Sequence, residues 1–215
     1  MIAPPVLRGG LAVRAPFLVA GLFLFALGIV MLLESGLGLS PWDVLNQGIA
    51  EHTPLSFGTA NIAVALVVLV AAWRLGARIG PGTVANAVLI GLFVDLLLRI
   101  DAVTDLSEAP LGARAALLAS GILVIGLGSA FYIGAALGAG PRDSLMLVLA
   151  ARTRTRIGIV RTVLEASVTA VGFALGGTVG IGTLAFALGI GPAVELAFWV
   201  LGRSPLADRE VASLA

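Results

Sequence analysis

The sequence predicts an all-α polytopic membrane protein. Six transmembrane helices fall into two inverted three-helix repeats, each with a short interfacial or re-entrant helix. Three observations predict this. The first is composition: of 215 residues, 59% are hydrophobic and 12% charged, with a mean hydropathy of +1.10. A soluble domain carries about 25% charged residues, so long uncharged runs at half that level belong in a bilayer. The second is an internal repeat. Gly38-Leu39-Ser40-Pro41-Trp42-Asp43 returns one hundred positions later as Gly138-Ala139-Gly140-Pro141-Arg142-Asp143. The same offset aligns Gly21 with Gly121, Gly28 with Gly128, Gly58 with Gly158 and Gly80-Pro81-Gly82-Thr83 with Gly180-Ile181-Gly182-Thr183. Roughly three positions in ten are identical between 14–99 and 114–199, without a gap, as in a duplicated unit. The third is the placement of charge. An odd number of spans per unit sends the second copy through the membrane the other way. With a cytoplasmic N-terminus, the outer segments hold only Arg99 and Arg114, and the other eleven of the thirteen Arg lie inside. That is a strong positive-inside bias, and inverted repeats are common among secondary transporters.

Residues 1–14 read as a short basic cytoplasmic tail. Arg8 and Arg14 before an apolar run resemble a signal peptide, but the run exceeds 20 residues and five more follow, so it reads as the first span, 15–36. After a Gly-rich break, 40–52 read as a short helix with Ser40 as N-cap, Pro41 at N1 and Asp43 at N3. About 13 residues reach ~20 Å, too little for a hydrocarbon core of ~30 Å. Residues 56–75 and 83–99 form the second and third spans, completing a first repeat over 15–99. The polar stretch 100–113 is the extracytoplasmic linker. The second repeat, 114–202, follows the same plan: spans 114–137, 157–177 and 182–202, with a short helix at 140–152. Residues 203–215 are a cytoplasmic tail. Gly134 with Gly138, and Gly172 with Gly176, have the small-xxx-small spacing that lets helices approach.

Several classes are disfavoured. A net charge of +1 from dispersed Arg argues against a nucleic-acid partner. The chain has no Cys and one His, His52, which removes thiolate chemistry and multi-His zinc patterns, so no cofactor and no metal are expected. Without Lys there is no G-x-x-x-x-G-K-[ST] phosphate loop, and neither H-E-x-x-H nor G-x-S-x-G occurs. An enzyme is the least favoured class.

The pattern of Gly38, Pro41, Trp42 and Asp43 after a span, then Gly80, Gly82 and Thr83 before a span with Gly91 and Asp95, resembles the YczE-like bacterial integral membrane proteins (the YczE/YyaS/YitT group). The resemblance covers about residues 10–203. The YitT branch carries an additional soluble C-terminal domain, so this chain looks like the YczE branch. The resemblance implies a multi-pass protein of the bacterial cytoplasmic membrane of the permease kind, and no substrate.

Candidate residues have structural and functional readings side by side. Asp43 and Asp143 either cap their short helices or line a solute or ion path between two helices that dip toward the midplane. Trp42 reads as an interfacial anchor, because Arg142 replaces it in the second copy. Asp95 and Glu195 are costly within spans. Asp95 can pair with Arg99 at i,i+4, whereas Glu195 has no such partner and is expected to face a polar cavity. Glu165 can pair with Arg161. Arg142 and Arg161 could hold an anion. Thr83 and Thr183 read as N-caps of the third spans. Glu34 reads as a snorkelling acid. The expected function is transport of an unidentified small solute or ion without an ATPase of its own. The alternative is a non-transporting accessory or scaffold protein. The lipid bilayer is the expected partner, with a homo-oligomer or membrane complex possible.

Overall fold

The computed structural model describes residues 5–100 and 105–208. Residues 1–4 of the first tail, 101–104 of the linker (with Asp101) and 209–215 of the last tail (with Arg209) lie outside the described residues. Within them the fold is all-α, with eight helices: α1 Leu11–Ser35, α2 Pro41–His52, α3 Phe57–Arg74, α4 Pro81–Leu97, α5 Leu111–Gly134, α6 Pro141–Thr153, α7 Ile157–Ala174 and α8 Ile181–Arg203. A 3-10 turn, Asp105–Glu108, precedes α5. Five helices, α1, α3, α5, α7 and α8, are long and apolar enough to cross a membrane, and α4 is a shorter apolar helix. The protein is therefore a multi-pass membrane protein whose surroundings are lipid. The segments flanking the bundle meet at one end, where Leu7 and Ala207 form an isolated antiparallel bridge.

The bundle is organised around α1 against α5. A Cβ at Gly21 would meet the Gly128 carbonyl oxygen at 2.8 Å, and one at Gly28 the Gly121 carbonyl oxygen at 2.8 Å. The reverse contacts hold: Gly128 faces the Gly21 carbonyl oxygen at 2.7 Å, and Gly121 the Gly28 carbonyl oxygen at 3.1 Å. The pairing runs in opposite order along the two helices, so they cross antiparallel. Backbones at this distance gain dispersion contacts that side chains would prevent, the physical basis of small-residue interfaces in lipid. Gly172 packs in the same way against the Val44–Leu45 backbone of α2, whereas Gly138 and Gly176 are turn residues at φ 132° and 83°. Only part of the small-xxx-small spacing is therefore helix packing.

The breaks before the short helices dock onto the start of distant helices. Gly82 N–H donates to the Leu137 carbonyl at 2.9 Å, and Gly182 N–H donates to the Leu37 carbonyl at 2.7 Å. Gly38 and Gly138 both have positive φ, 122° and 132°, a region that disfavours side chains. Each lies against the first turn of the helix it meets, with Gly38 beside Thr183 and Gly138 beside Thr83. These crossed contacts account for the repeated G-x-G-T. They also correct the capping assignment. Gly80 and Gly180 occupy the N-cap positions. Thr83 and Thr183 sit three residues inside, where their hydroxyls accept from the Gly80 and Gly180 N–H at 3.2 and 3.3 Å.

The remaining packing is uneven. α3 lies along α4, where Gly58 and Gly91 each face the other's carbonyl oxygen and Ala65, Leu69 and Ala87 form a small core. The helices one hundred residues on do not follow: α7 packs on α2 and α6 and scarcely touches α8. Of the most apolar 18 residues, 44% are buried in α3 and 6% in α7. Gly158 and Gly191, counterparts of Gly58 and Gly91, have open space around them.

Candidate solute cavity

Each short helix starts with Pro, which presets φ and lacks an N–H that the first turn could not use. The starts of α2 and α6 converge on one cavity of about 240 Å³. It is lined from both halves at equivalent positions: Ser40 and Gly140, Pro41 and Pro141, Trp42 and Arg142, Asp43 and Asp143, Asn61 and Arg161, Ile90 and Ile190. The walls between α7 and α8 come from Leu164, Glu165, Phe186 and Val194. The cavity thus occupies the gap that α7 leaves by not packing on α8.

The two helix starts differ in chemistry. At α2, Ser40 is the N-cap and accepts from Asp43 N–H at 3.4 Å. The Ser40 hydroxyl also donates to Asp43 Oδ2, and Asn46 Nδ2 donates to Asp43 Oδ1 at 3.3 Å. Asp43 is 2% exposed and both its oxygens are held within its own helix. At α6, Gly140 stands in place of Ser40, and no side chain caps the helix. Asp143 turns instead to α5, where its Oδ2 accepts from the Tyr132 hydroxyl at 3.0 Å. Phe25 holds the Tyr132 ring edge-on at 6.3 Å. The Arg142 guanidinium lies 5.0 Å from the Trp42 ring centroid, a cation–π distance. The charges of Asp43, Asp143 and Glu165 favour its protonated form, though none forms an ion pair with it within 4 Å among the described residues. On α7, Arg161 and Glu165 form an i,i+4 ion pair at 2.8 Å at the cavity edge. Two buried side-chain atoms among the described residues lack a partner, Asn46 Oδ1 and Asn61 Nδ2.

Asp43, Asp143, Arg142, Arg161 and Glu165 are therefore brought together, and Asp95 and Glu195 are not. Asp95 is a latch instead. It reaches from α4 to the start of α3, where it accepts from the Ser56 hydroxyl at 2.5 Å and from Gly58 N–H at 2.8 Å. Those bonds replace the pairing expected with Arg99. Glu195 is exposed on the α8 face that α7 leaves bare and does not line the cavity, because the helix that would cover it is displaced. Trp42, expected at the membrane interface, is 9% exposed and forms a cavity wall. Glu34 is buried at 8% exposure. Sequence reasoning missed Tyr132, Asn61 and Asn86 as cavity residues. Tyr132 is the only Tyr in the chain and Asn61 lies inside a span, signals that a search for isolated polar groups in apolar runs would have found.

The Ser40 cap carries a direct prediction. Ser40→Ala removes the hydroxyl that holds Asp43, and should cost about 1 kcal/mol, the usual loss for an N-cap. Thermal denaturation in detergent measures it, and an unchanged midpoint would show that Asn46 alone suffices.

Three comparisons place the chain among known proteins. The sequence profile of DUF6198, a family of unknown function, matches residues 12–198. An uncharacterized protein of Haemophilus influenzae is 38% identical over 196 residues, covering 89% of this chain and 88% of that protein. The uncharacterized membrane protein YczE of Bacillus subtilis is 32% identical over 182 residues, 83% of this chain and 82% of its own length. The uncharacterized protein YyaS of the same organism is 28% identical over 166 residues, 76% of this chain and 82% of its own. The resemblance to YczE-like proteins is thus borne out. No solved structure matches the chain.

Proposed function

The chain belongs to DUF6198, a family of unknown function, and we propose that it is a permease. It carries a small solute across the cytoplasmic membrane by exchanging the packing of two inverted repeats. The observation that carries this reading is the asymmetry of two equivalent helix pairs around one central cavity. α3 is packed on α4 and latched by Asp95. α7 stands away from α8 over the cavity, and its N-cap, Arg156, makes no side-chain cap bond. Repeats related by a pseudo-twofold axis have two states of this kind, in which either pair is closed. In the second state Gly158 packs on Gly191, Glu195 caps α7, and α3 parts from α4. Arg156, standing where Ser56 stands, would then face Glu195. With both termini cytoplasmic, the state observed faces inward.

Purified protein reconstituted in liposomes tests the proposal. Uptake is measured against a panel of labelled amino acids, carboxylates, amines and sugars. A permease should accumulate at least one of them by counterflow, and Arg142→Ala should abolish that uptake while the protein still reconstitutes. Uptake of none, with the protein folded, would favour the scaffold alternative.

A further inference from the structure

The cavity has one helix start that is filled by its own side chains and one that is not. The Ser40 hydroxyl occupies the cap of α2, and Asp43 is held beside it. At α6 the hydroxyl is missing because residue 140 is Gly, and the acid of the first turn, Asp143, accepts from Tyr132 instead of from a capping hydroxyl. The free amides of a helix start attract an anion, and Arg142 at the same turn adds five fixed donors. A helix start alone would not make a site. Here Asn61, 3% exposed, forms part of the same wall with its Nδ2 donor unpartnered. A buried donor without an acceptor costs about 1–3 kcal/mol, a cost that an acceptor entering the cavity beside Asn61 would offset.

The charges then restrict that partner. Arg161 and Glu165 satisfy each other. Arg142 is left facing two acids, Asp43 and Asp143. Asp43 spends both oxygens on its own helix, while Asp143 keeps Oδ1 free of the Tyr132 bond. Among the described residues Arg142 makes no hydrogen bond or close ion pair and Asp143 Oδ1 has no hydrogen-bond donor, and both groups lie at the same turn, beside apolar walls from Trp42, Ile90 and Ile190. We propose that the cavity binds a small zwitterion carrying a carboxylate and an ammonium on the same carbon, an α-amino-acid-like solute. Its carboxylate takes the cap position that Gly140 leaves vacant and bonds Arg142 and Asn61. Its ammonium donates to Asp143, and its side chain lies along Trp42. A bare carboxylate would leave Asp143 opposing it, and a bare amine would leave Arg142 and the helix start unmatched.

This inference rests on the cavity being a solute site, and its test needs no flux. Trp73→Phe and Trp199→Phe leave Trp42 as the only Trp. Its fluorescence in detergent is titrated with alanine, valine and leucine, and with 3-methylbutylamine and 4-methylpentanoate, which lack the carboxylate and the amine respectively. At least one zwitterion should bind, and both single-charge analogues should bind tenfold or more weakly. Gly140→Ser should cost tenfold or more in affinity with a melting temperature no lower than that of the wild type. It supplies the missing hydroxyl, and its Cβ would stand at ordinary contact distance from Asn86 and Asp143, 3.4 Å from each. Equal binding of 4-methylpentanoate, unaltered affinity in Gly140→Ser, or no response to any zwitterion would each overturn the proposal. Zwitterion binding without uptake into liposomes would instead overturn the permease and leave the site standing.

Discussion

Oxidation of a protein carrying Gly158→Cys and Gly191→Cys should cross-link α7 to α8 and stop transport completely, with recovery on reduction. The chain has no native cysteine, so the pair is the only one that can react. A disulfide requires Cβ atoms about 3.5–4.5 Å apart. In the state observed, neither Gly158 nor Gly191 has anything within 4 Å of where its Cβ would be, so new side chains fit and do not yet meet. They meet only if α7 swings onto α8, as α3 already lies on α4. Ala65→Cys with Ala87→Cys is the matching pair in the closed half, because these residues share one small core. It should cross-link readily and hold the protein in the observed state, with the same loss of uptake. The proposed exchange needs both states populated, and either bond would remove one of them. Mass spectrometry of the cross-linked peptide reads the first result, and liposome uptake the second. If the 65–87 pair cross-links and the 158–191 pair never does, with solute present or absent, the exchange does not occur and the permease loses its mechanism.

The second large effect is on folding. Gly21→Leu or Gly128→Leu should leave no stable, monodisperse protein in detergent. At Gly21 a Cβ would stand 2.6 Å from Tyr132 N and 2.8 Å from the Gly128 carbonyl oxygen. Those are backbone atoms, which cannot rotate aside, so α1 and α5 must separate. Overpacking a core costs about 1–3 kcal/mol where side chains can adjust, and here the adjustment moves two whole helices that hold the bundle together. The loss should exceed that range. Gly112→Leu is the control, because a Cβ there meets nothing within 4 Å. Size-exclusion profiles and melting curves of the three variants make the comparison. A Gly21→Leu protein as stable as Gly112→Leu would mean that the α1–α5 crossing is not the centre of the fold.

These two experiments separate what was legible in the sequence from what was not. Local chemistry was legible. Unbroken apolar runs of about 20 residues announce helices in lipid, because a single segment there satisfies its own backbone only as a helix, and the Ser40-Pro41-Trp42-Asp43 start and the repeat of Gly38 and Gly138 come from short-range rules. Even so, the G-x-G-T threonines were placed one turn early. Their role depends on a carbonyl from the other half, Leu37 or Leu137, whose presence no local pattern announces. The repeat brought Asp43 and Asp143 to notice together, and the structure sets them in one cavity.

Asp95 and Glu195 mark the limit. They are aligned in sequence and both are costly within a span, Asp95 expected to pair with Arg99 and Glu195 to face a polar cavity. Asp95 is bonded to the start of α3, and Glu195 is exposed because α7 lies elsewhere. Trp42 and Arg142 show the same limit from the other side. They looked unrelated because they differ, yet they stack on each other at 5.0 Å because equivalent positions of the two halves converge there. The sequence by itself determined which segments are helices, which of them are apolar enough to enter lipid and where each half begins its short helix. These depend on hydropathy and caps within a few residues. Only the tertiary structure decided which pair of equivalent helices is packed and which is apart, and so where the cavity lies. That choice depends on contacts between segments distant in the chain, which residues of equal propensity can make in either half.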